Sequence, residues 1–166
     1  MAGPLKLLDR ALFLAIGIVM AAMVADVTIQ IFFRYVIQDP PTWTEELARY
    51  LFVWDVFLAA GLAFGRGAHI VVDALLLMLP AGARRALSIF TNALVFAFLV
   101  VLVWQGIAMA RLTSNTVSTA LNLNMGVVYA SLPVGAAISA LYVLVRLIDE
   151  VRGVSPPVDP LQVMVD

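Results

Sequence analysis

The sequence predicts an all-α membrane protein with four transmembrane helices, a short interfacial amphipathic helix between helices 2 and 3, and both termini in the cytoplasm. Three observations carry this reading. Of 166 residues, 63% are hydrophobic and only 13% are charged, whereas soluble domains are about half apolar and a quarter charged. A chain of this length cannot bury so much apolar surface in its own core, so lipid must serve as solvent. Four apolar runs are long enough to cross a hydrocarbon core about 30 Å thick, which takes about 20 helical residues. None of these runs alternates polar with apolar, which excludes barrel strands and leaves helices as the spanning structure.

The runs cover about residues 11–33, 45–64, 86–110 and 125–148 of a single transmembrane domain, residues 1–152. Lys6 and Arg10, followed by an apolar stretch and small residues at Ala21 and Ala22, give the start a signal-peptide look. The apolar run continues through Val24, Val27, Ile29 and Ile31 to Phe33, past the roughly 7–15 residues of a secretory h-region, so it reads as a retained first helix. Between spans two and three, "HIVVDALLLMLP" is too short to cross. It reads as a helix lying in the cytoplasmic interface over about residues 69–79, ended by Pro80. His69 and Asp73, four apart, share a face behind Arg66. The alternative is that this piece extends span two or three. Residues 153–166 form a proline-containing, irregular tail.

Positive charge sets the orientation. Lys6, Arg10, Arg66, Arg84, Arg85, Arg146 and Arg152 fall on one side, and Arg34, Arg49 and Arg111 on the other. Both termini are therefore expected in the cytoplasm, with "PPTWTEEL" and "SNTVSTALNLN" facing the periplasm of a bacterial inner membrane. A net charge of −1 offers nothing to nucleic acid. With no cysteine and a single histidine, thiolate sites, Fe–S clusters and bis-histidine haem are excluded by count. No H-E-x-x-H, G-x-S-x-G or Walker motif occurs. No cofactor and no catalytic, substrate-binding or metal residue is expected, and the chain does not read as an enzyme.

One stretch stands out: "PPTWTEELARYLFVWDVF", residues 40–57. The prolines favour an extended lead-in, Thr42-Trp43-Thr44-Glu45 fits a capping box, and Thr44 could also cap. Glu45 and Glu46 lie where the helix dipole favours negative charge, with Arg49 within reach of either. Trp43 and Tyr50 suit an interfacial aromatic belt, with Trp54 a turn deeper. One carboxylate suffices for a cap, so the second, Glu46, is expected to meet a cation in this subunit or on a partner. In span one, Asp26, Gln30 and Arg34 recur every four residues, and charge at membrane depth is expected to face protein or water. Asp55, deep in span two, asks for the same. Gly61-x-x-x-Gly65 in span two and Ser131-x-x-x-Gly135-x-x-x-Ser139 in span four are packing faces for close helix approach, with Pro133 a candidate kink.

Three stretches, "FRYVIQDPPTWTEELARYLFVW", "GRGAHIVVDALLLMLP" and "LNLNMGVVYASLPVGAAISAL", together resemble the small membrane subunit of tripartite ATP-independent periplasmic (TRAP) transporters, the dicarboxylate-transport Q-type family. The W-x-E-E-x-x-R-Y string is the most specific part, and the likeness runs from Phe33 to Asp149. The resemblance implies a scaffold subunit that packs beside a large permease subunit and helps present a docking surface to a periplasmic solute-binding protein. The assembly would import an organic acid, such as a dicarboxylate, on an ion gradient, expected to be sodium. A self-sufficient homodimeric proton-coupled exporter using Asp26 or Asp55 is the competing reading.

Overall fold

The computed structural model describes residues 3–39, 41–65 and 81–153. The predicted interfacial segment with Arg66, His69 and Asp73, and the tail after Gly153, lie outside the described residues. Within them the chain forms α1 (Gly3–Phe32), α2 (Thr42–Gly65), α3 (Ala81–Leu112), α4 (Met125–Tyr129) and α5 (Ser131–Val151). Among the described residues four stretches are long and apolar enough to cross a membrane: Leu5–Ile37, Thr42–Gly65, Gly82–Leu112 and Met125–Val151. No strand occurs among the described residues; the nearest approach is an isolated bridge between Val117 and Asn124.

The helices stand in a row, with α1 against α2, α2 against α5 and α5 against α3. Half of the apolar window of the fourth span is buried inside the protein, against 11% for the first, so α5 is the centre and α1 the periphery. The reason is legible in α1. Leu5, Leu8, Leu12, Ile16, Val19, Met23, Asp26 and Gln30 are among its buried or half-buried positions, and Phe33 in the turn that follows continues them, a repeat of three and four residues that makes one seam. The remaining faces are apolar and exposed, including Phe13, Leu14, Ile18 and Val24. The helix ends in a π-helical turn, Phe33–Ile37, and stops at Gln38 in the left-handed region, φ 60°.

Close approach is concentrated where α5 crosses its neighbours. A β-carbon on Gly135 would sit 2.5 Å from the Phe57 carbonyl oxygen of α2, and one on Gly61 would sit 2.9 Å from Ile138 Cγ2. On the other side, Gly106 of α3 leaves room for the Pro133 ring, 2.8 Å from where its β-carbon would lie. Lipid tails are as apolar as leucine, so helices gain by fitting backbones together and not by expelling water. Small residues therefore line this contact: Ser131, Gly135, Ala136 and Ser139 are buried on α5. Pro133 cannot donate to Tyr129 and its ring crowds that carbonyl, and the helix is interrupted between Tyr129, the last residue of α4, and Ser131, the first of α5.

Two polar ties fasten the end of the bundle that carries the start of α3 and the close of α5. Glu150 accepts from Asn92 Nδ2 at 2.8 Å and from Ser88 Oγ, while the Arg85 guanidinium donates to the carbonyls of Glu150 and Val151 at 3.1 Å each. Tyr142 of α5 donates its hydroxyl to Asp9 of α1. Ser88 and Asn92 are both buried, so Glu150 satisfies polar groups that the membrane interior would otherwise leave unpaired.

Candidate functional site

At the opposite end, the start of α2 meets the loop that joins α3 to α4. The Pro41 carbonyl accepts from Thr44 Oγ1 at 2.8 Å and from the Thr44 N–H at 3.4 Å. Thr44 is fully buried. The predicted capping box is not formed. The helix begins at Thr42 itself, one residue too early for that side chain to cap. Glu45 lies in the first turn, with its side chain exposed.

Among the described residues Glu46 meets backbone amides and no cation. One carboxylate oxygen accepts the backbone N–H of Thr119 at 3.1 Å, and the other accepts those of Ala120 at 3.2 Å and Leu121 at 3.1 Å. Three consecutive amides converging on one anion form a backbone nest. The loop is folded to present them. Ser118 N–H donates to the Leu123 carbonyl at 2.8 Å, Leu123 N–H donates to Ser118 Oγ at 3.1 Å, and Asn122 takes the left-handed conformation, φ 52°. Met125 N–H donates to the Thr116 carbonyl at 2.9 Å, closing the base of the loop. One turn along α2 from Glu46, the Tyr50 hydroxyl reaches Met125 Sδ at 3.5 Å, a second tie between α2 and the same loop–helix junction.

Arg49 and Glu45 point elsewhere. Both are exposed, together with Phe52 and Val56, and the spacing of four, three and four makes them one stripe of α2. The stripe turns away from α5, which α2 meets through Phe57 and Gly61. Neither charge has a hydrogen bond or ion pair among the described residues. Trp43 is 38% exposed at the helix start, while Tyr50 and Trp54 are half-buried.

The structure separates the predicted stripe of α1. Asp26 is 4% exposed, Gln30 is half-buried, and Arg34 is exposed. Phe33 and not Arg34 continues the inward seam, because three-four spacing and not four-four tracks a single neighbour. Neither oxygen of Asp26 has a hydrogen-bond partner, nor does Oδ1 of Asp55, which is 6% exposed. No group of three or more potential metal ligands occurs among the described residues.

A model of the family described as "Tripartite ATP-independent periplasmic transporters, DctQ component" matches residues 23–153. The chain belongs to the DctQ family. It is a TRAP transporter component, a multi-pass membrane protein and not an enzyme. A Haemophilus influenzae protein named as a TRAP transporter small permease protein is 28% identical over 145 residues, 87% of this chain and 89% of that one. The sialic acid TRAP transporter small permease protein SiaQ of Vibrio cholerae is 30% identical over 116 residues, 70% and 67% of the two chains. The isethionate TRAP transporter permease protein DctMQ of Oleidesulfovibrio alaskensis is 29% identical over 148 residues, 84% of this chain but 23% of that longer one. The DctQ match takes in the whole Glu46 nest, the α2–α5 contact and Glu150, and leaves out Asp9.

Sequence reasoning missed the nest because its donors are backbone amides, which no residue type announces. It missed Asp9–Tyr142 because the partners lie 133 residues apart. The Glu150 cluster had a readable signal: Ser88 and Asn92 are a polar pair one turn apart inside an apolar run.

Proposed function

We propose that this chain is the scaffold subunit of a TRAP-type secondary importer, seated in the bacterial inner membrane beside a large permease subunit. A periplasmic binding protein delivers an organic acid, and an ion gradient, with sodium the expected ion, drives uptake. In this reading the Glu46 end faces the periplasm and both termini face the cytoplasm, which the distribution of arginines and lysine supports. The DctMQ relative, in which the matched region is 23% of one longer chain, supports a large membrane partner held close by. The names of the isethionate and sialic acid relatives support an organic anion as cargo.

The observation that carries the scaffold role is the division of labour at the start of α2. Glu46 is used inside the subunit, shaping the loop over residues 118–124. Glu45 and Arg49 remain exposed at the head of an apolar stripe. A charge pair above apolar side chains suits a partner subunit better than lipid tails. Trp43, Tyr50 and Trp54 set the level of this corner, and Arg34 stands on the adjoining end of α1. Co-purification from native membranes tests the reading. Arg49→Ala and Glu45→Ala should weaken recovery of the large subunit and uptake, while the variants insert and melt like the parent chain. Unchanged recovery and uptake in both would remove the role. Family membership counts against a self-sufficient exporter using Asp26 or Asp55, and the chain alone in liposomes should transport nothing.

A further inference from the structure

The three amides that hold Glu46 form a site whose ligand class the structure displays. The loop that carries them joins the third and fourth spans and lies outside both. Thr119 is exposed beside the bound carboxylate, so a water-soluble ion can reach it. The frame of the loop does not depend on Glu46. The paired bonds between Ser118 and Leu123, the bond from Met125 to Thr116 and the left-handed Asn122 all belong to the loop and its exit. Successive N–H groups held in this way are an anion-binding concavity in their own right.

We propose that the amides of Thr119, Ala120 and Leu121 are a receptor for small carboxylates, closed in the parent chain by Glu46 as a built-in ligand. The chemical class follows from what is bound. One Glu46 oxygen accepts one amide N–H and the other accepts two, at 3.1 to 3.2 Å, so the site reads a pair of oxygens on one planar carbon. The size follows from the tether. Trimming Glu46 to alanine deletes Cγ, Cδ and both oxygens, which are the heavy atoms of an acetate ion. Acetate therefore replaces what is removed, atom for atom. Propionate carries one more methylene, which would meet the remaining β-carbon, and chloride offers one centre where two are read. In the parent chain the tethered carboxylate competes at an effective concentration of about millimolar or above, so Glu46 keeps the nest shut to organic acids in solution. In the importer proposed above such acids are the cargo, and a nest left open would hold them on the scaffold. The receptor chemistry itself is independent of that reading.

The test is hydrogen exchange of the full chain purified in detergent, with acetate as the probe and chloride at equal ionic strength as the reference. Glu46→Ala should raise exchange at Thr119, Ala120 and Leu121 about tenfold, the loss expected of one charge-assisted contact, and acetate should reverse that rise saturably. Propionate should act more weakly and chloride not at all. Glu46→Gln fills the same space, so acetate should leave its exchange unchanged, as it should that of the parent chain. Glu46→Ser, equally short, should behave like Glu46→Ala, so the result does not hang on the folding of one variant, which circular dichroism checks. Saturation-transfer NMR on the acetate methyl group gives a second readout: transfer should appear with Glu46→Ala and be absent with the parent chain and with Glu46→Gln. No reversal by acetate, equal reversal by chloride, or transfer to acetate from the parent chain as strong as from Glu46→Ala would each overturn the proposal. None of these outcomes bears on the subunit role, which rests on co-purification.

Discussion

Replacing Gly135 with alanine tests whether close helix approach, and not apolar area, holds α2 to α5. The added β-carbon would lie 2.5 Å from the Phe57 carbonyl oxygen, 2.8 Å from Phe57 Cβ and 2.9 Å from the Phe57 carbonyl carbon. Backbone cannot rotate aside as a flexible side chain can, so α5 must move away from α2. Overpacking of this kind costs about 1–3 kcal/mol, and contact with backbone argues for the upper part of that range. Alanine also raises helix propensity, by about 1 kcal/mol in water, which would obscure the clash if Gly135→Ala were judged alone. Gly17→Ala supplies the control, since nothing lies within 4 Å of its added β-carbon. The propensity gain is common to both variants, so the difference between them isolates the clash and should be about 1–3 kcal/mol. Denaturant-induced unfolding of the purified protein in mixed micelles, followed by circular dichroism, measures it. Equal stability of the two variants would refute the claim that glycine is required there by contact with α2.

At the other end, Glu150→Ala should cost about 1–3 kcal/mol in the same assay, because buried Ser88 and Asn92 lose their acceptor, and Glu150→Gln should recover part of the loss. Glu46→Ala should raise hydrogen exchange at the amides of Thr119, Ala120 and Leu121 while leaving the α5 amides protected; unchanged exchange would remove the nest. For topology, alkaline phosphatase fused after Asp39 should be active and fused after Gly67 inactive, with the reverse pattern overturning the orientation.

The four spans were legible because the solvent is written into them: apolar runs without alternation admit only helices in lipid. The packing faces were partly legible. The small-residue spacing on α5 marks positions that the structure buries, Gly135 among them against α2, yet nothing in the pattern says that Gly135 meets Phe57 and not some other carbonyl. The corner at Glu46 was legible as an anomaly only. Counting carboxylates against the needs of a helix cap showed one in excess, and the natural inference was a cation, since side chains are what a sequence displays. The actual partners are three amides made convergent by the fold of residues 118–123, so their presence depends on backbone conformation. The stripe of Asp26, Gln30 and Arg34 shows a different limit. Spacing of four drifts off a seam that follows a single neighbouring helix, and the structure places Phe33 inward in place of Arg34.

The internal use of Glu46 bears directly on what this subunit can offer a partner. An exposed loop of twelve residues, 113–124, would sample many conformations and would lose that freedom on docking, a cost charged against affinity. The nest removes much of that freedom in advance, and the Tyr50–Met125 contact anchors the loop's exit to the same helix that bears Glu45 and Arg49. A loop and a charged stripe are thereby held on one rigid element, α2, which is itself locked to α5 by backbone contact at Gly135. Such preorganisation suits the scaffold role proposed above, which asks for a surface that stays in place. Loosening the nest should therefore act on a partner before it acts on the fold: Glu46→Ala should lower recovery of the large subunit or capture of the binding protein at a temperature where the bundle itself remains folded. If partner recovery and bundle stability fell together, Glu46 would be a structural tie and nothing more.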